Sequence, residues 1–187
     1  MVVTVYCDQK TDGGGWTLIQ RRVDGSINFF SNWLTYKQGF GQFQHEHWLG
    51  NDNLHLLTAQ AVLTGSEVRF ELQRKDFNYR HYAKYSSFHV DGESNAYQLH
   101  ITGYSGNLGD AMAVHNGMKW TTSDRENDTW GGGNCAYDRQ GPWWYESCAD
   151  STLNGVYDNF KRYAPQKGFA WKDNYRLQYS EIKVRRK

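Results

Sequence analysis

The sequence predicts an α+β domain: a short-stranded antiparallel sheet, a few short helices and a large loop-rich second half. Three observations carry this. Glu67 to Lys75 (EVRFELQRK) alternates, with Val68, Phe70 and Leu72 on one side and Arg69, Glu71 and Gln73 on the other. That is the pattern of an antiparallel strand with one buried face. Asn51 to Ala61 (NDNLHLLTAQA) puts Leu54, Leu57 and Ala61 on one helical face behind a cap at Asn51 or Asp52. Ser123 to Gly155 gathers acidic residues, glycines, two cysteines and Trp143, Trp144 and Tyr145, with little helical or strand periodicity. Long ordered loops of this kind often carry function.

The remaining elements follow in chain order. Val2 to Tyr6 (VVTVY) is β-branched and aromatic and predicts a strand. Asp12-Gly13-Gly14-Gly15 is a turn, and Trp16 to Arg22 is the next strand. After a turn at Asp24-Gly25, Asn32 stands where an N-cap would, with Trp33, Tyr36 and Phe40 at helical spacing. Arg80 to Phe88 and Tyr97 to Thr102 alternate as strands, whereas Gly103 to Asp110 reads as irregular. Tyr157 to Gly168 is loop-like, and Asn174 to Val184 is a last strand.

Composition sets outer limits. A chain of 187 residues suits one domain with a sizeable core. A net charge of +1 gives no push toward nucleic acid. Aromatics make up 16% of the chain, enough for aromatic binding surfaces as well as a core. No apolar run approaches the roughly 20 residues of a membrane helix. Met1 reads as an expression start or an artificial boundary, so the lack of a leader there says little about secretion. Three cysteines are an odd number: a cytosolic chain could keep three thiols, and a secreted one would pair two. Cys135 and Cys148 are close enough in sequence for a local bridge, which leaves Cys7 either free or bonded to a residue upstream.

Enzyme chemistry finds little support. His45-Glu46-His47 lacks the spacing of a zinc protease, and there is no nucleophile elbow, phosphate loop or dinucleotide fingerprint. Asp124, Glu126 and Asp128 alternate on one loop, where three carboxylates can converge. That suits cation binding better than a glycosidase pair across a cleft.

Several segments together carry a resemblance. VYCDQKTDGGGWTLIQRR (Val5 to Arg22), WLTYKQGFG (Trp33 to Gly41), EHWLGNDNLHLLT (Glu46 to Thr58), YSGNLGDAMAVHNGMKWTTSDRENDTW (Tyr104 to Trp130), NCA (Asn134 to Ala136) and GPWWYESCADSTLNGVY (Gly141 to Tyr157) resemble the fibrinogen C-terminal domain family. That family includes fibrinogen, ficolins, tachylectin-like lectins, tenascins and angiopoietins. The resemblance runs in order over essentially the whole chain. It implies a single fibrinogen-like domain over residues 1–187, with a sheet and helix part at 1–103 and a metal- and ligand-binding loop part at 104–187. The family's first segment, which holds the partner of its first cysteine, has no counterpart here, and Cys7 resembles the second cysteine of that pair.

The resemblance implies calcium. Carried over, its ligands are the carboxylates of Glu126 and Asp128 and the carbonyls of Trp130 and Gly132. Glu126 stands where the family usually has Asp, and Gly131-Gly132-Gly133 is one residue longer than the usual spacing. Asn127-Asp128-Thr129 is also a glycan acceptor sequence, but an ordered loop around a cation is a poor acceptor.

In lectin members an acetyl group sits beside the disulfide that Cys135 and Cys148 match, next to a cis peptide that matches Ser147–Cys148. The expected ligand-binding set is Cys135, Tyr137, Cys148, Ala149, Tyr163, Trp171 and Tyr175, while Trp143 and Trp144 are expected in the core. Ala149 replaces the His of many acetyl-binding members, which adds weight to a protein-binding reading. The expectation is a non-enzymatic, secreted, calcium-dependent lectin for acetylated or amino sugars on microbial surfaces, an innate-immune pattern recogniser. The alternative is a module binding a receptor or matrix protein. The resemblance further implies an oligomeric parent protein with no nucleic-acid partner and no membrane insertion.

Overall fold

The computed structural model describes residues 3–59, 64–157, 168–172 and 175–187, with backbone alone at 175 and 176. The first strands are β1 (Cys7–Asp8) and β2 (Trp16–Arg22), joined through a 3-10 turn at Thr11–Gly13. Helix α1 (Trp33–Gln38) and the short strands β3 (Phe40–Gly41) and β4 (His47–Trp48) lead to α2 (Asn51–Ala59). Strands β5 (Ser66–Arg74), β6 (His81–Val90) and β7 (Leu99–Gly106) form an antiparallel meander. The second half holds β8 (Trp120–Thr121), α3 (Cys135–Arg139), β9 (Trp143–Trp144), β10 (Ser151–Thr152) and β11 (Ala170–Trp171). It closes with the long β12 (Tyr175–Arg186).

The main sheet runs β3-β4-β2-β12-β5-β6-β7, so the last strand of the chain lies between β2 and β5. The period of two explains its faces. Val68, Phe70 and Leu72 of β5, Ala83 and Tyr85 of β6, and Ile182 and Val184 of β12 enter the core. The opposite face is a layer of paired charges. Lys183, whose side chain is fully buried, reaches Asp8 at 2.8 Å, Glu181 at 2.9 Å and Glu71 at 3.5 Å. Arg185 and Lys84 both meet Glu67. A buried charge persists only when matched in this way.

Helix α1 starts where Asn32 accepts a hydrogen bond from the Thr35 N–H at 2.9 Å. The start of α2 differs from expectation. The carbonyl of Gly50 accepts the first helical hydrogen bond, from the Leu54 N–H. Asn51 instead accepts the Trp48 indole N–H at 2.9 Å, and Asp52 takes the Lys37 ammonium and the Tyr97 hydroxyl. Other side chains have claimed both candidate caps, a local one at Asn51 and distant ones at Asp52. Gly50, at φ +105°, is needed there because a Cβ would fall 2.7 Å from the Gln38 carbonyl oxygen.

Two strand limits also move. The first ladder begins at Cys7 opposite Thr17, later than the Val2 to Tyr6 run suggests, because the tight turn at 11–15 brings those residues together first. Gly103 to Gly106, expected to be irregular, belongs to β7. Pairing with β6 and the contact of Tyr104 with Tyr85 (ring centroids 5.6 Å apart) override the glycines. Tryptophans link the two halves: Trp48 stacks on Trp120 at 5.1 Å, and Trp120 meets Trp144 edge-on at 4.6 Å. Trp143 and Trp144 are core residues, as expected.

Candidate functional site

The acidic loop leaves β8 through a tight turn in which Thr122 and Arg125 exchange backbone hydrogen bonds. That turn separates the three acids. Asp124 points at α1 and accepts the Trp33 backbone N–H at 3.0 Å, and Arg125 lies 3.9 Å over the Trp33 ring. Convergence of all three carboxylates is therefore replaced by a division of labour, with Asp124 as a tether. Glu126 is exposed, with no hydrogen bond or ion pair among the described residues. Asn127 turns inward: its side-chain amide donates to the Trp120 carbonyl at 2.8 Å, and its backbone N–H donates to the Thr121 hydroxyl.

Asp128 is the anchor of the loop's second half. One oxygen accepts the Trp130 N–H and the other the Cys135 N–H, both at 3.0 Å. Burial pushes its carboxyl above the usual carboxylate range, and those two hydrogen bonds only partly oppose this. No arginine or lysine pairs with it among the described residues. Its oxygens keep unused lone pairs, and among the described residues the Trp130 carbonyl accepts only the Gly133 N–H, at 3.3 Å. This all-oxygen, negatively charged, flexible set fits a hard divalent cation. Among the described residues no three His, Cys, Asp and Glu side chains form a ready metal cluster, so a site here must draw on carbonyls such as those of Trp130 and Gly132.

The groove lies next door. Asn134 caps α3 by accepting the Tyr137 N–H at 2.8 Å, and its amide donates to the Thr122 carbonyl. This five-residue helix is too short to show periodicity in the sequence, and Asn134 is its one local signal. Cys135 on α3 is bonded to Cys148 with the Cα atoms 5.5 Å apart, and Ser147–Cys148 is cis. The Thr129 N–H donates to the Glu146 carbonyl, which ties the acidic loop to the groove. Beside the disulfide is an open cavity of ≈ 270 Å³, bordered by Arg139, Glu146, Ser147, Cys148, Ala149 and Asp150.

The other expected residues are placed differently. Tyr137 is 70% exposed on α3, outside that border. Trp171 is fully buried; it packs on Phe70 at 5.4 Å and donates its indole N–H to the Gly109 carbonyl. It is a core residue and not a groove wall, because β11 pairs with both β10 and β12 and draws it under the sheet. Tyr163 and the side chain of Tyr175 lie outside the described residues. In the sequence nothing distinguishes Arg139, Glu146 and Asp150 from surface charges.

Behind the groove, His115 is fully buried. Its Nδ1 donates to the Trp144 carbonyl at 2.6 Å, and its Nε2 accepts the Ser151 backbone N–H at 3.3 Å. Burial holds its pKa down at about 4, so the ring is neutral and pins β9 to β10.

The order of these parts over the whole chain decides its family: residues 1–187 match the model of the fibrinogen beta and gamma chains, C-terminal globular domain. The chain belongs to that family. The fibrinogen-like domain is 44% identical to mouse (Mus musculus) fibrinogen C domain-containing protein 1, over 97% of this chain and 40% of that protein. It is 43% identical to fibrinogen-like protein A of Apostichopus parvimensis, over 98% of this chain and 65% of that one. It thus spans about two fifths to two thirds of these relatives' lengths. Its fold matches the fibrinogen-like globe domain of human ANGPTL2 with a TM-score of 0.92 and 41% identity, covering 100% of this chain and 87% of that one. It matches lamprey fibrin D-dimer complexed with the peptide Gly-His-Arg-Pro-amide at 0.87 and 32% identity, covering 96% and 63%.

Proposed function

We propose that the fibrinogen-like domain is an extracellular, non-enzymatic protein-interaction module that takes a basic peptide segment in the groove beside Cys135–Cys148. The observation that carries this reading is the charged border of the groove. Glu146 and Asp150 offer two carboxylates and Arg139 one guanidinium, in a setting open to water. Such a border suits a peptide with cationic groups and carbonyls. The resemblance to an angiopoietin-like globe and to a fibrin with a bound basic peptide supports it. A sugar platform wants aromatic faces. Here Trp171 is in the core, Tyr137 is off the border, and Ala149 supplies no polar group.

Calcium at Glu126, Asp128 and the carbonyls of Trp130 and Gly132 belongs to the same reading. Bound there, it would supply positive charge that holds these oxygens together. This chain's own residues then carry the effect onward: Asp128 fixes the Cys135 N–H, and Thr129 fixes Glu146. A single open groove binds weakly, so an oligomeric parent would add avidity.

Calorimetric titration with Gly-His-Arg-Pro-amide tests this, in CaCl₂ and in EDTA, with N-acetylglucosamine as competitor. Saturable peptide binding that is weakened in a Glu146→Gln, Asp150→Asn double variant supports the proposal. Binding of the acetylated sugar alone, indifferent to the double variant, would return the domain to the lectin reading.

A further inference from the structure

Strands β5 and β6 are joined by Lys75-Asp76-Phe77-Asn78-Tyr79-Arg80. Small polar residues suffice for a turn, yet two of these six are aromatic. Hydrogen bonds hold the turn in shape. The Phe77 N–H donates to the Arg74 carbonyl, and the Gln73 amide donates to the Phe77 carbonyl, both at 3.2 Å. The rings of Phe77, Tyr79 and His81 then meet pairwise, with centroids 5.3, 5.7 and 4.7 Å apart. Tyr79 is 56% exposed. Burial and the charge of Arg74 hold the His81 pKa below its ordinary value, so the third ring is neutral at physiological pH. Contiguous apolar surface rimmed by polar groups marks an interaction site.

The rim here is cationic. Arg74 lies 4.6 Å over the Phe77 ring, and Arg80 lies 4.0 Å over the ring of Tyr179 on β12. A guanidinium laid flat on a ring keeps its edge N–H groups free to meet an oxyanion with two parallel bonds. Among the described residues the carboxylate nearest Arg80 is that of Glu71, at 3.9 Å, beyond hydrogen-bonding distance. The Arg80 side chain is 49% exposed. Lys75 is exposed on the same turn, and its one acid, Asp76, stands 3.9 Å from Arg74. We propose that this turn is a docking surface for a sulfated polysaccharide. Arg80 meets a sulfate group, and Tyr79 meets the C–H face of a sugar ring.

The chemistry of the turn favours this partner over two others that also carry negative charge. Entry into a lipid surface needs apolar side chains free of interleaved acid. Here Asp76 and Asn78 flank a half-buried Phe77. A nucleic acid is held mainly through its many phosphates, and a chain of net charge +1 offers no broad basic field for them. A sulfated polysaccharide asks less of the protein at each step: one guanidinium for a sulfate and one ring for a sugar. Its repeats let weak contacts add. The extracellular placement proposed above, which the Cys135–Cys148 bridge supports, brings the turn within reach of such polymers. The turn shares no residue with the border of the groove, so the two surfaces are independent.

Titration of a fluorescent heparin oligosaccharide with the whole chain, at constant CaCl₂, tests the surface. The expected result is saturable binding that weakens as NaCl rises. Arg80→Ala weakens it about tenfold, the order set by a lost charge-assisted hydrogen bond. Arg80→Lys restores part of that loss, because the charge returns without the planar fork. Tyr79→Ser weakens binding about threefold. Lys119→Ala, at an exposed position outside the turn, leaves it unchanged. Melting curves establish that each variant is folded. Absence of binding, equal binding of the desulfated oligosaccharide, or native affinity in an Arg80→Ala, Tyr79→Ser double variant would each overturn the proposal. Tighter binding of phosphatidylserine vesicles or of a single-stranded oligonucleotide than of heparin would overturn it too.

Discussion

The carboxylate of Asp124 accepts a hydrogen bond from the backbone N–H of Trp33, 91 positions earlier, at the first residue of α1. Together with Asn32 it satisfies two of the four N–H groups that any helix start leaves unpaired. One side chain thus caps a helix in the first half and fixes the base of the acidic loop in the second. Asp124→Ala should cost about 1 kcal/mol, the usual value of a lost cap. For a domain of this size that lowers the melting temperature by about 2–4 °C. A thermal melt checks this. An unchanged midpoint would show that water replaces the carboxylate freely.

Lys183 is the centre of the charged layer. Lys183→Met strands Asp8, Glu71 and Glu181 without their shared cation. Breaking a buried pair from one side costs roughly 3–5 kcal/mol. Urea denaturation at neutral pH should show a loss of that order, larger than for any exposed pair such as His45–Asp24.

The same layer determines acid stability. Burial acts to raise the carboxyl of Asp8, but hydrogen bonds from Lys183 and from the N–H groups of Thr11 and Lys10 win and hold it well below the usual range. Burial is likewise outweighed at Glu67 by Arg185 and Lys84, and at Glu181 by Tyr179, Lys183 and Arg21. These groups bind protons less readily folded than unfolded. Their stabilisation is complete above the unfolded values of roughly 4 and is lost as pH falls through the lower, folded ones. Denaturant midpoints should therefore drop steeply below about pH 4, and less steeply in Lys183→Met.

His115 works in a higher window. Burial holds it neutral, with a pKa of about 4, while the unfolded residue titrates near 6.5. As pH falls below about 6.5 the unfolded chain takes up a proton that the fold refuses. Stability therefore declines between about 6.5 and 4, by roughly 3 kcal/mol in all. Buried His47, also held low by burial, adds in the same direction. The ring signal of His115 in NMR should not shift between pH 8 and 5. A midpoint near 6.5 would contradict the buried, neutral assignment.

Asp128 carries the metal prediction. With calcium at 100 times its dissociation constant, the domain should gain about 2.7 kcal/mol over its EDTA-treated form. Asp128→Asn should abolish the gain while leaving Asp124's tether to α1 in place. Equal melting curves with and without calcium in the native chain would reject the site.

Much of this molecule could be read from the chain alone. The period of two marked the buried face of β5, and Asn32 marked the start of α1, because both signals are local. The order of motifs from Val5 to Tyr157 pointed to the family, and the Cys135–Cys148 bridge joined residues near in sequence. What sequence could not supply was the choice among competing partners. Asp124, Glu126 and Asp128 look alike in a row, yet one caps a helix, one is exposed and one is anchored by two backbone N–H groups. Trp171 looked like a ligand wall until β11 carried it beneath the sheet. His89 and His100 stand eleven positions apart in the chain, and only the β6–β7 register sets them face to face beside Asp91. Local patterns are written by neighbours a few residues away and survive in the sequence. A side chain's role is decided by whichever distant group offers it the better hydrogen bond or the drier surface, and only the folded chain brings those groups together.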